Sequence, residues 1–255
     1  MPHEQKFKKD GLQVNCIRSF NRYEVKYLLT PEEKERFLEA VGDRLCPDKY
    51  GVYTICNIYL DTDDFYFIER SLEKPVYKEK LRIRSYGTAD EDTRVFFEIK
   101  KKFRKVVYKR RITIPLREVR EYIENGIRPE SLEGYADNQI FSEIDFLMKR
   151  YKPSPKLFLA YDREAYFIRE YPEMRVTFDK NIRGRWDNLT LKSDDNTELL
   201  DTGIEDYSVM EIKCMGAMPR EYAEILSRLK IYPASFSKYG RIYTERCSGR
   251  TKSAI

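Results

Sequence analysis

The sequence predicts an α+β protein in which a closed antiparallel eight-stranded β-barrel carries helices on its outside and a charged lumen within. Three observations point there. Eight segments read as strands, most with hairpin-like spacing; nearly all of them place charged side chains at every second position; and four helices are available to cover the opposite, apolar face.

The first strand, 20–29, puts Arg22, Glu24 and Lys26 on one face. A helix follows at once, with Thr30 as N-cap, Pro31 at its first position and Glu33 closing a capping box, and it ends near Arg44. Residues 53–60 form the second strand. In the third, 79–87, Lys80, Arg82 and Arg84 oppose Leu81 and Ile83, and in the fourth, 94–102, Glu98 and Lys100 share a face. The fifth, 105–114, sets Lys105, Lys109 and Arg111 against Val106, Tyr108 and Ile112, with Arg110 breaking the alternation. Helices are expected from Leu116 to Gly126 and over about 137–151. In strand 157–168 Arg163 lies with Tyr161 and Ala165; in strand 173–180 Arg175, Thr177 and Asp179 oppose Val176 and Phe178; in strand 207–214 Glu211 and Lys213 oppose Met210 and Ile212. A last helix starts at Pro219 and stops before Pro233. One domain over 18–245 is expected, with 1–17 and 246–255 as flexible tails.

Composition narrows the class. The net charge of +5 comes from 48 basic and 43 acidic residues, so a strong positive field requires local sorting. Twenty tyrosines and fourteen phenylalanines favour strands and oppose disorder. Five cysteines without a CxxC spacing, and a single His, read as a reduced, cytoplasmic protein without a thiolate zinc site. No apolar run is long enough to span a bilayer.

A charged stripe on any one strand is first of all a solvated face. Here the stripes are rich in Arg and Lys with a few Glu, where a solvated face would mix in Ser, Thr, Gln and Asn. A lumen with roughly ten cations and three or four carboxylates is costly when empty and calls for a polyanion. Glu24, Glu98 and Glu211 supply oxygen donors suited to Mn²⁺ or Mg²⁺, although each, taken singly, reads first as a salt-bridge partner for a neighbouring Lys. Arg forks, Lys point charges and a divalent ion are the parts of a phosphoryl-transfer site.

The segments RYEVKYLL, YLDT, KLRIRSYG, FFEIKKK, YDREAYF, RVTFDKNI, VMEIKC and SFSKYGR occur in the order found in the VTC domain. Over about 18–245 the chain resembles that polyphosphate polymerase branch of the triphosphate tunnel metalloenzymes, whose wider superfamily is called CYTH. The resemblance implies a tunnel that binds ATP and polyphosphate or triphosphate with a divalent metal. By motif, Lys26, Arg82, Arg84, Lys100, Arg163 and Arg175 would be the catalytic phosphate contacts. Ser237 and Lys238 would touch phosphate near one mouth, and Arg22, Lys80, Lys109, Arg111 and Lys213 extend the substrate-binding set from their stripes. Glu211 would hold the metal, with Glu24 and Glu98 as further candidates. Hydrolytic members carry ExExK in the first strand, where this chain has Arg22, Glu24 and Lys26. That departure favours an ATP-polyphosphate phosphotransferase over an inorganic triphosphatase of the same fold. A non-catalytic binder of polyphosphate or RNA is the third reading, and the absence of a recognisable RNA-binding signature weighs against nucleic acid. The family's eukaryotic relatives are coupled to membrane segments, so any membrane coupling here is expected to come from a partner protein.

Overall fold

The computed structural model describes residues 22–104, 106–192 and 206–252. Its elements run β1 (Arg22–Leu29), α1 (Pro31–Val41), a 3-10 turn (Gly42–Arg44), β2 (Leu45–Asp61), α2 (Tyr66–Leu72), β3 (Tyr77–Tyr86), β4 (Arg94–Phe103), β5 (Val106–Pro115), α3 (Leu116–Asn125), α4 (Gly134–Tyr151), β6 (Ser154–Ile168), β7 (Arg175–Arg185), β8 (Ser208–Met215), α5 (Arg220–Arg228) and α6 (Lys238–Lys252). The eight strands make one antiparallel sheet in the order β1-β8-β7-β6-β2-β3-β4-β5.

The sheet is not closed, which corrects the expected barrel: among the described residues β1 pairs with β8 and β5 with β4, and no ladder joins β1 to β5. Closure would require the two end strands to share one tilt and register. The sheet curls all the same, since Lys100 on β4 reaches Glu24 on β1 at 3.5 Å.

The apolar faces point outward under helices. Leu81, Ile83, Phe97, Ile99 and Ile112 of β3 to β5 pack with Val119 and Tyr122 of α3 and with Phe141, Ile144 and Leu147 of α4. On the other flank, Leu29, Val176, Phe178, Met210 and Ile212 meet Phe37 of α1 and Tyr222 and Leu226 of α5. The capping box forms: the Thr30 hydroxyl accepts from Glu33 N–H at 3.2 Å, and the Glu33 carboxylate accepts from Thr30 N–H at 2.9 Å. Gly126, with φ +71°, takes the left-handed conformation that ends α3. A third cluster lies on the concave side, where Ile55, Tyr59, Leu157, Leu159, Tyr161 and Val209 pack against Tyr239 and Ile242 of α6.

Three features depart from expectation. β2 begins at Leu45 instead of 53, helix α2 was not anticipated, and neither was α6, which takes in residues 246–252 that were assigned to a tail. Residues 1–17 and 253–255 of the expected tails, and Lys105, lie outside the described residues. Among the described residues, no helix is long and apolar enough to cross a membrane.

Candidate functional site

Residues paired directly across a ladder share a face, so the strand registers place the stripes. Lys26 lies opposite Glu211, Glu24 opposite Lys213, Thr177 opposite Glu211 and Arg175 opposite Lys213. Arg163 faces Asp179, Arg82 faces Glu98, Lys80 faces Lys100, and Lys100 and Glu98 face Lys109 and Arg111. The alternation read from the sequence thus assembles one concave surface. Arg22 begins β1, and its side chain lies outside the described residues.

Three ion clusters divide that surface. In the first, Glu98 is buried among cations: Arg82 Nη2 at 2.7 Å, Lys109 Nζ at 2.7 Å, Arg111 at 3.9 Å and Arg84 at 4.0 Å. Arg84 also donates to Asn57 Oδ1 at 2.9 Å and to the Tyr161 hydroxyl at 3.3 Å. In the second, Lys26 Nζ stands 3.8 Å from Glu24 and 3.9 Å from Glu211, while Lys213 binds Glu211 at 2.6 Å and Lys100 binds Glu24. The third is centred on Asp179, which accepts both forks of Arg163 at 2.6 and 2.8 Å and Lys238 Nζ at 2.6 Å. Arg175 stands apart, donating to Asp48 at 3.1 Å and to the Tyr53 hydroxyl at 3.3 Å.

The start of α6 and the segment before it complete one end. Lys80 donates to Ser237 Oγ at 3.0 Å, Lys26 to the Phe236 carbonyl at 3.2 Å, and Tyr239 to the buried Asp61 carboxylate at 3.0 Å. Sequence reasoning missed Asp179, Asn57, Tyr59 and Tyr161 as members of the site. For Asp179 and Tyr161 the signal was present, because each falls in period with a stripe residue on its own strand; Asn57 and Tyr59 lie on β2, whose run 53–60 carries no charge to mark it.

The electrostatics follow from crowding. Burial and the neighbouring Lys26, Lys100 and Lys78 ammoniums bring Lys80 down to about 8. Burial, with Arg82 and Arg84 nearby, brings Lys109 to about 8 despite Glu98. Burial pushes the Glu98 carboxyl up, but Arg82, Arg84 and Lys109 outweigh it and hold it at about 2. Tyr59 is similar: burial raises its phenol, yet Arg82, Lys80 and Arg84 bring it down to about 7. Glu211 is held well below the usual carboxylate range, since Lys213, a hydrogen bond shared with Glu24, and Lys26 together overcome burial.

These residues fit a divalent cation at one place. Glu24 and Glu211 flank Lys26, and the buried Thr177 hydroxyl, opposite Glu211 in the ladder, has no hydrogen-bond partner among the described residues. Two carboxylates and a hydroxyl are hard oxygen donors of the kind Mg²⁺ or Mn²⁺ uses alongside substrate phosphates. No three His, Cys, Asp or Glu side chains converge among the described residues, so the remaining ligands would come from substrate and water. Glu98, named with them from sequence, sits instead among four cations and serves as their counter-ion.

A curled antiparallel sheet with helices outside and a cation-lined concave face defines the class of the fold. Over residues 21–244 the chain matches the VTC domain, and it belongs to that family. Membership supports a polyphosphate- or triphosphate-related activity. Among curated proteins none matches the chain. Solved structures similar to it include a putative adenylate cyclase from Bacillus halodurans, 17% identical, covering 84% of this chain and 92% of that one with a TM-score of 0.49. A putative adenylyl cyclase from Hippeastrum, described as having a dominant triphosphatase activity, is 13% identical, covers 87% and 95%, and has a TM-score of 0.47. A Pyrococcus horikoshii protein is 15% identical, with 88% and 99% covered and a TM-score of 0.42.

Proposed function

We propose that this chain is an ATP-polyphosphate phosphotransferase, moving the terminal phosphoryl group of ATP onto a polyphosphate chain. The observation that carries this reading is the concave surface, where cations from β1, β3, β4, β5, β6, β8 and α6 outnumber their carboxylates around the Glu24 and Glu211 pair. An anion bound there replaces the scarce counter-charge.

The terminal oxygen of the chain attacks the γ-phosphorus of ATP, the bond from that phosphorus to the β-bridging oxygen breaks, and ADP leaves with the electron pair. No protein nucleophile takes part. Arg82 and Arg84 stand where guanidinium forks can follow charge onto the transferred group, and Lys26 and Lys100 neutralise its far side. Arg163 and Lys238, held by Asp179, position the neighbouring phosphate. A divalent ion held by Glu211 and Glu24 would add Lewis-acid neutralisation of phosphate oxygens.

The test is incubation with ATP and Mn²⁺ followed by gel analysis and phosphate assay. Chain growth with stoichiometric ADP supports the reading. Orthophosphate released from tripolyphosphate without chain growth would replace it with hydrolysis, and binding without turnover with a non-catalytic module.

A further inference from the structure

The two ends of the concave face differ. Lys80 and Tyr59 lie beneath α6 and the segment before it, with Lys80 on Ser237 and the Tyr59 ring 4.8 Å from that of Tyr239. Six residues along the same strands, ~20 Å away, the surface ends in aromatic rings. Tyr53 meets Tyr86 at 5.7 Å, Tyr86 meets Phe96 at 5.7 Å, and the Arg111 guanidinium lies 4.2 Å over Phe96. Tyr86 follows Arg84 by two positions and Phe96 precedes Glu98 by two, so the rings form the next row after the cations.

A local distortion adds to this rim. Between the pairs Pro47 with Tyr166 and Val52 with Glu164, β2 bulges by residues 48–51. The buried Asp48 carboxylate fastens the bulge, accepting from Tyr50 N–H at 2.9 Å and from Arg175 at 3.1 Å, and Gly51 at φ +63° turns the chain. The bulge sets Tyr50 6.1 Å from Tyr53 at the rim. Tyr50 and Tyr86 remain 67% and 55% exposed, so these rings are held in place without being buried as core.

Inorganic polyphosphate has nothing to stack on an aromatic ring, whereas a nucleobase does. We propose that this rim stacks the base of the nucleoside triphosphate whose phosphates lie along the cation rows, so that the nucleotide enters from the end opposite α6 with its base outermost. The inference rests on the phosphate-binding reading above and extends it to the nucleoside half of the substrate.

Calorimetric titrations of ATP and of tripolyphosphate without metal separate the two. In Tyr86→Ala the dissociation constant for ATP should rise about tenfold, the scale of one lost base stack, while that for tripolyphosphate stays unchanged. Tyr86→Phe should restore ATP binding. In Tyr86→Trp, indole fluorescence should respond to ATP and not to tripolyphosphate, against the background of Trp186 as the single native tryptophan. An unchanged ATP affinity in Tyr86→Ala, or equal losses for both ligands, would overturn the base platform and leave the phosphate grip standing. Wild-type protein that binds neither ligand would overturn both readings together.

Discussion

Lys80 and Lys109 show how single residues register the trough's purpose. Lys80, half-buried, and Lys109, whose side chain keeps 37% of its exposure, are both brought down to about 8, because partial desolvation and neighbouring cations disfavour their charged forms. Their folded values lie below the unfolded one near ~10.4, so their contribution to stability is fully present above that value and is lost as pH falls through about 8. A bound polyanion favours the charged ammoniums and raises both pKa values, and it raises that of Tyr59 for the same reason. Tripolyphosphate binding at pH near 8 should therefore take up protons, measured as a dependence of the calorimetric enthalpy on buffer ionisation. Binding with no proton uptake would mean that these groups do not meet the anion. Two substitutions divide grip from chemistry. Glu211→Gln keeps the shape and removes a negative charge, so transfer should fall about 100-fold or more while metal-free polyphosphate affinity holds or improves. Arg82→Gln should weaken binding itself by about 1.5–3 kcal/mol, the scale of a charge-assisted hydrogen bond. Near-normal turnover in Glu211→Gln at low Mn²⁺ would reduce that carboxylate to a partner for Lys213.

Among the elements, α2 and α6 depend on one carboxylate. Asp61 ends β2, is fully buried, and accepts from the backbone N–H groups of Thr62, Phe67 and Ile68 and from the Tyr239 hydroxyl. It thereby caps a seven-residue helix and fastens it to α6. Asp61→Ala leaves several donors unpaired and should cost about 3 kcal/mol in denaturant unfolding, whereas Tyr239→Phe, losing one bond, should cost about 1 kcal/mol. Equal costs would show that α2 holds without this cap. The same elements mark where sequence reading ends. The stripes were legible because a pleat fixes which side chains share a face, and α1 and α3 announced themselves through Thr30, Glu33 and Gly126. By contrast, α2 follows the loop-like run TDDF, and α6 opens with Ser237 and Gly240 in a stretch with little apolar periodicity. Its support comes from Lys80, Asp179 and Asp61, far away in the chain. Residues 45–52 carry Pro47 and Gly51 and read as a loop although they extend a strand. Charge alone could not tell that Glu98 pairs with Arg82 and Lys109 instead of joining Glu24 and Glu211, because those partners meet only through strand order.

For the molecule as a whole, the balance between trough and shell sets its response to ligands. Two apolar clusters hold helices to the convex face, while the concave face stores like charges that repel when nothing is bound. Tripolyphosphate should raise the melting temperature well beyond orthophosphate at matched ionic strength, through mass action and relief of that repulsion. Equal shifts would indicate general screening. The missing β1 to β5 ladder bears on how a polymer departs. A sealed ring must be threaded from an end, so escape of a long strand slows with its length. A hook, whose end strands are joined among the described residues by the ion pair of Lys100 and Glu24 and by no ladder, releases whatever it holds sideways. Dissociation of polyphosphate from this protein should therefore be nearly independent of chain length, and chains tethered to beads at both ends should be captured as readily as free ones; strong slowing with length, or exclusion of doubly tethered chains, would mean that the seam stays shut.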